Sequence, residues 1–112
     1  MSKPANRAYS RYSREAVVLL GQMIRLERIN RKLTIVELAE RADVSRGLIQ
    51  RIERGEPSCA IGAVFEVATI LGIKLFDADQ AMLSAKTAFN QQTLALLPKS
   101  VRSTRKAVKD DF

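Results

Sequence analysis

Residues 33–55 read LTIVELAERADVSRGLIQRIERG, and their punctuation decides the fold. Thr34 stands three residues before Glu37, the spacing of a capping box in which hydroxyl and carboxylate each satisfy a free amide of a first helical turn. A helix therefore starts here and runs through Leu38 and Ala39 to about Ala42. Asp43, Val44 and Ser45 make a short turn, after which Ser45 caps a further helix that Gly55 ends. Two helices this short bury little by themselves. A tight turn between them lets the second present a polar face while both lean on a shared core. At a hundred degrees per residue, Leu48, Ile49 and Ile52 of the second helix fall on one side, and Arg46, Gly47, Gln50, Arg51 and Arg54 lie round the other.

Working outward, Ser13 is placed to cap an earlier helix in which Val17, Leu20 and Ile24 recur at three- and four-residue steps, closed by Asn30, Arg31 and Lys32. After a loop at Gly55–Ser58, the apolar stripe Ile61, Val64, Val67, Ala68 and Leu71 predicts a fourth helix stopped by Gly72. A fifth begins near Asp77 and carries Met82, Leu83 and Phe89. Gly and Pro are sparse, no internal repeat occurs and no stretch alternates apolar with polar residues for long. The expected fold is all-α, a five-helix domain over residues 13–89, preceded by a basic arm at 1–12 and followed by an extension at 90–112. Its core is expected to hold Leu20, Ile24, Leu38, Ala39, Val44, Ile49, Ile52, Val64, Val67, Ala68 and Leu71.

The chain has 112 residues, enough for one domain with a single modest core. Lys and Arg number 19 against 12 Asp and Glu, giving a formal charge of +7 that favours a polyanionic partner. The surplus is concentrated in residues 1–32, and the segment 33–76 is nearly neutral. With no His and one Cys, Cys59, the chain has no His-dependent triad, no His/Cys zinc site, no redox pair of cysteines and no internal disulfide. No spacing of Ser, Asp, Glu or Lys assembles a nucleophile with a base, and no Gly-rich loop cradles phosphate, so neither an enzyme nor a bound cofactor or metal is expected. The run Ala16 to Leu20 is too short for a signal-peptide core, and Glu66 and Lys74 interrupt the stretch from Ala60 to Phe76, which is short for a membrane span. A soluble cytoplasmic protein, without a membrane partner, is the expectation.

The outer face of the third helix carries the chemistry. Arg offers a two-pronged donor to guanine O6 and N7, and Gln matches adenine N6 and N7. Gly47 removes a side chain where a helix approaches bases or backbone closely, and a helix amino end capped by Ser45 favours phosphate. Such a face taken alone is usually a solvated one; the surrounding two-helix pattern turns the reading toward double-stranded DNA. A protein-interaction module would want an exposed aromatic anchor, and an amphipathic membrane binder a Trp-rich apolar face; neither shows in the sequence. Lys3, Arg7, Arg11 and Arg14 form either a solvated arm or a phosphate-contacting one. Cys59 is assigned no role.

The pattern of Leu38-Ala39, Val44-Ser45, Ile49, Ile52-Glu53 and Gly55 resembles the phage-repressor-like, or Xre, helix-turn-helix family over roughly residues 15–76. The resemblance implies a five-helix DNA-binding domain that acts as a homodimer, with Arg28 and Glu53 paired to tie the first helix to the end of the third. It also implies base or near-base contacts from Arg46, Gln50 and Arg51, with Thr34 and Ser45 capping helices aimed at phosphates and Gly47 and Arg54 completing the surface. Two positions depart from the pattern: Ile35 where many members have Gln, and Asp43 where the turn often has Gly, so Asp43 must adopt a left-handed backbone. Beyond this region, EPSCAIGAVFEVATILGIKLF and the ending LALLPKSVRSTRKAVKDDF are similar to HipB-type antitoxins, regulators paired with HipA-type kinase toxins. That likeness implies a repressor autoregulating a type II toxin-antitoxin operon, the alternative being a free-standing Xre-type regulator without a toxin. The apolar residues beyond the core, Leu75, Phe76, Met82, Leu83, Leu94, Leu96 and Leu97, are the expected self-association surface. The basic run Lys99, Arg102, Arg105, Lys106 and Lys109, followed by Asp110, Asp111 and Phe112, is the expected handle for the toxin.

Overall fold

Side-chain caps set where the helices begin. In the computed structural model, which describes residues 8–103, the chain runs α1 (Arg11–Asn30), α2 (Ile35–Ala42), α3 (Arg46–Arg54), α4 (Ile61–Ile70), a 3-10 turn at Leu75–Asp77 and α5 (Gln80–Ala95). No strand occurs among the described residues. The architecture is all-helical, as the sequence predicts. Ser45 Oγ accepts from the Leu48 amide at 3.1 Å, and Asp79 Oδ1 accepts from the Met82 amide at 2.9 Å. At α2 both halves of the capping box form: the Glu37 amide donates to Thr34 Oγ1 at 3.0 Å, and the Thr34 amide donates to Glu37 Oε1 at 2.8 Å.

Two boundaries differ from the sequence expectation. The cap of α1 is Ser10 rather than Ser13: the Ser13 amide donates to Ser10 Oγ at 3.2 Å, and the helix gains Arg11 and Tyr12 in its first turn. Ser10 has the extended backbone a cap needs, while Ser13 already lies within the turn. The fifth helix starts at Gln80 rather than near Asp77, because Phe76 and Asp77 both hold left-handed backbone, with φ of 56° and 52°. That conformation interrupts helix, and Asp79 restarts it.

The helices pack because their inward residues are small or branched and their crossings are close. Ile24, Leu38, Ala39, Ala42, Ile49, Ile52, Val67, Ala68 and Leu71 form the buried cluster, with Leu20, Val44, Leu48 and Val64 half-buried against it. Ala42 is the member the sequence reading omits. Gly21 is buried in α1 where that helix crosses the end of α3, and any side chain there would run into the carbonyl oxygen of Ile52. Gly55 ends α3 with φ 79°, and a Cβ on it would meet the Val18 backbone at 2.8 Å, so two separate constraints demand glycine. Asp43 makes the turn between α2 and α3 at φ 58°, ψ 47°, the left-handed conformation its departure from Gly required.

The boundary between the two compact units of the chain falls between Asp77 and Ala78. In the second unit α5 buries none of its residues and extends six positions past Phe89, to Ala95. Met82, Phe89, Leu94, Leu96 and Leu97 are exposed there. No helix among the described residues is long and apolar enough to cross a membrane.

Leu38 has no exposed surface and sits at the centre of the cluster. Leu38→Ala is expected to lower unfolding free energy by about 2 to 5 kcal/mol. A urea-denaturation shift of under about 0.5 kcal/mol would place α2 on the wrong face.

Candidate nucleic-acid interface

Helix α3 is nine residues long and divides cleanly by face. Ile49 and Ile52 are buried, Leu48 is half-buried, and Arg46, Gln50, Arg51 and Arg54 are all exposed. No acidic residue stands in its first turn, so its amino end keeps the positive character of unpaired amides. The structure thus brings five of the expected residues, Arg46, Gly47, Gln50, Arg51 and Arg54, onto one helix, with Ser45 at its cap. Gly47 has a neighbour the sequence did not disclose. A Cβ at this position would lie 3.5 Å from Arg51 Nη1, so the space over Gly47 is bordered by the Arg51 guanidinium one turn later. Arg51 also faces the Cys59 thiol, whose pKa is raised by burial and drawn partly back by that guanidinium. Arg54 Nη2 is paired with Glu56 Oε2 at 2.8 Å.

Thr34 stands apart from this group. Its hydroxyl and its amide are both engaged in the α2 box, and the hydrogen bond from its amide holds the Glu37 carboxyl below the usual carboxylate range. The amino end of α2 therefore carries a negative charge of its own, which works against a phosphate approaching there. Next to Thr34, Ile35 is half-buried against the core and offers no polar group.

Helix α3 is held at its carboxyl end by an ion pair. Arg28 Nε donates to Glu53 Oε2 at 2.6 Å and Nη2 donates to Glu53 Oε1 at 3.0 Å, a two-pronged geometry. The remaining edge of the guanidinium donates from Nη1 to the Leu33 carbonyl at 2.9 Å. The two side chains are only 11% and 6% exposed. The hydrogen bond to Glu53 raises the Arg28 pKa, outweighing the opposing effect of burial. One side chain thereby joins α1, the residue before the α2 cap and the last turn of α3.

A residue the motif reading passes over also reaches this surface. Arg25, one turn before Arg28 on α1, lines a hollow of about 340 Å³ with Ile35, Gln50 and Arg54, and the Arg28–Glu53 pair also lines it. Its spacing from Arg28 was visible in the sequence, but its nearness to Gln50 depends on how α1 crosses α3. Lys3 and Arg7 of the expected arm lie outside the described residues. Among the described residues no cluster of His, Cys, Asp or Glu could hold a metal ion.

Removing one member of the buried pair strands the other. Glu53→Ala is expected to cost about 3 to 5 kcal/mol, whereas the double change Arg28→Met with Glu53→Leu should restore most of that loss. Thermal unfolding of the three proteins checks this, and a Glu53→Ala variant as stable as the parent would contradict it.

Residues 24–77, just under half of the chain, match the helix-turn-helix family HTH_3. Over 56 residues the chain is 41% identical to an immunity repressor protein of Bacillus phage phi105, covering 50% of this chain and 39% of that protein. The chain therefore aligns with well under two thirds of the repressor's length. No solved structure matches it. With a capped two-helix unit, a left-handed turn at Asp43 and α3 pinned by Arg28, residues 24–77 have a helix-turn-helix arrangement and are similar to the HTH_3 family over that span.

Proposed function

We propose that the chain is a sequence-specific DNA-binding transcriptional repressor that works as a homodimer. The observation that carries this is the outer face of α3: four exposed long polar side chains on a nine-residue helix whose other face is buried and whose end is fixed by the Arg28–Glu53 pair. In this reading α3 lies in the major groove. Gln50 and Arg46 read base edges, with Arg51 beside them over Gly47, and Arg54 and the Ser45-capped amino end meet the backbone. Thr34 contributes by capping α2 more than by touching phosphate. The similarity to a protein named as an immunity repressor supports the repressor role, and a DNA partner agrees with the cytoplasmic location expected from the sequence. The +7 charge supports attraction to any duplex, with base contacts from α3 adding sequence preference.

One such helix reads only a few base pairs, so useful affinity calls for two. The exposed apolar residues of α5 and its carboxyl end, Met82, Phe89, Leu94, Leu96 and Leu97, supply a surface for pairing with a second copy. A finer proposal is that the repressor is the antitoxin of a type II toxin-antitoxin operon paired with a HipA-type kinase toxin. It rests on the resemblance of residues 56–76 and 94–112 to HipB-type regulators. The free-standing regulator differs from it by the absence of a kinase gene next door. Residues 104–112, which include the Phe112 anchor of that handle, lie outside the described residues.

A footprint on the chain's own promoter tests the main reading. Two protected half-sites about 34 to 36 Å apart, or a multiple of that, are expected, and a promoter without protection would refute it. On the protected site Gln50→Ala and Arg46→Ala should each lose about 1 to 3 kcal/mol and relax base preference. For the toxin handle, the chain lacking residues 98–112 should keep its operator affinity and lose capture of the neighbouring kinase. Unchanged capture would remove the handle.

A further inference from the structure

The hollow beside α3 has an unusual balance of charge. Arg28 and Glu53 neutralise each other there, Ile35 is apolar, and the further cations lining it are Arg25 from α1 and Arg54 from α3, the latter also paired with Glu56 at 2.8 Å. Of the other arginines of α1, Arg11 is tied to Glu15 at 3.0 Å and Arg28 to Glu53, and Arg14 does not line this hollow. Arg31, just past the end of α1, is likewise tied to Glu27 at 3.0 Å. Arg25 is exposed and, among the described residues, has no hydrogen bond or ion pair. Gln50, a base reader in the proposed function, lines the same hollow.

The amino end of α2 is the neighbouring place where a helix-turn-helix could hold backbone, and here it is occupied by the ionised Glu37 carboxylate with Ile35 beside it. A strand bordering the groove that α3 enters must therefore find its cation elsewhere. The only unengaged charge on this side that lines the hollow is Arg25. A guanidinium offers a planar pair of donors matched to two phosphate oxygens, and Arg54, whose exposed pair with Glu56 engages only one of its nitrogens, also lines the hollow.

Resting on the proposed function, we infer that Arg25 and Arg54 clamp one backbone phosphate of the DNA over this hollow, next to the base contacted by Gln50. α1 thus contributes directly to binding, and the clamp sets how deeply α3 sits in the groove. The contact is to phosphate, so it adds affinity on every sequence and fixes register without selecting bases.

The test uses the full chain and a mixed-sequence 30-base-pair duplex, followed by fluorescence anisotropy across a potassium chloride series. Loss of one phosphate contact should reduce the slope of log affinity against log salt by about one and weaken binding about fivefold to tenfold near 0.1 M salt. Arg25→Ala should show that loss and Arg25→Lys should recover much of it. Lys74→Ala, which removes an exposed charge away from the hollow, should keep the parent slope. Arg25→Ala behaving as Lys74→Ala does would overturn the clamp while leaving DNA binding intact. A parent chain that shows no salt-dependent binding would overturn the proposed function and the clamp together. Inorganic phosphate at matched ionic strength should compete no better than chloride; preferential displacement of the parent over Arg25→Ala would assign the hollow to free phosphate and overturn the clamp.

Discussion

A guanidinium buried beside a carboxylate governs this domain. Arg28 and Glu53 sit 25 positions apart, on α1 and on the last turn of α3, and each would be left as an isolated buried charge if the helices crossed in any other way. Desolvating the two groups offsets much of their attraction, so the pair adds little net stability compared with apolar residues of the same size. Its value lies in selectivity among packings. The third donor of Arg28, on the Leu33 carbonyl, brings the start of α2 into the same arrangement. Gly21 then sets the distance, because α1 can come down onto the Ile52 carbonyl only where no side chain intervenes.

Such a lock matters because the elements it holds are short. α2 has eight residues and α3 nine, below the length at which a helix persists in water without tertiary support. Their amphipathic faces meet on Leu38, Ala39, Ile49 and Ile52, and the polar face of α3 is left over as a consequence. Charge is then distributed unequally between the two amino ends. α2 uses its own carboxylate to satisfy an amide, and α3 uses a neutral serine hydroxyl. Of these two, α3 is the one that presents an uncompensated positive end, on the same helix as Arg46 and Gln50.

Features of this kind that depend on local chemistry were legible in the sequence. The box at Thr34 and Glu37, the Ser45 cap, the Gly55 stop and the left-handed Asp43 each involve residues within four positions of one another. The start of α1 was misread for the same reason: Ser10 and Ser13 satisfy the same local rule, and only the backbone of Ser10 distinguishes them. Ala42 was missed because alanine is as much at home on a helix surface as in a core. Arg25 was missed because its place beside Gln50 is set by the crossing of α1 over α3. Gly47 was read as a gap for DNA, while in the fold the Arg51 guanidinium borders that gap.

The second unit raises a different physical question. α5 is capped by Asp79 yet buries none of its sixteen residues, and Met82, Phe89 and Leu96 recur every seven positions. Seven-residue spacing keeps side chains on one face of a helix, the arrangement by which two helices bury each other. A sixteen-residue helix that buries none of its residues gains little from its own backbone in water, so burial against a second copy would stabilise α5 and the dimer in the same event. In the proposed dimer the spacing of half-sites would then follow from the α5 pairing, while base preference would follow from α3. Substitutions in α5 would change how strongly the protein binds paired sites without changing which bases it prefers, the reverse of substitutions at Gln50.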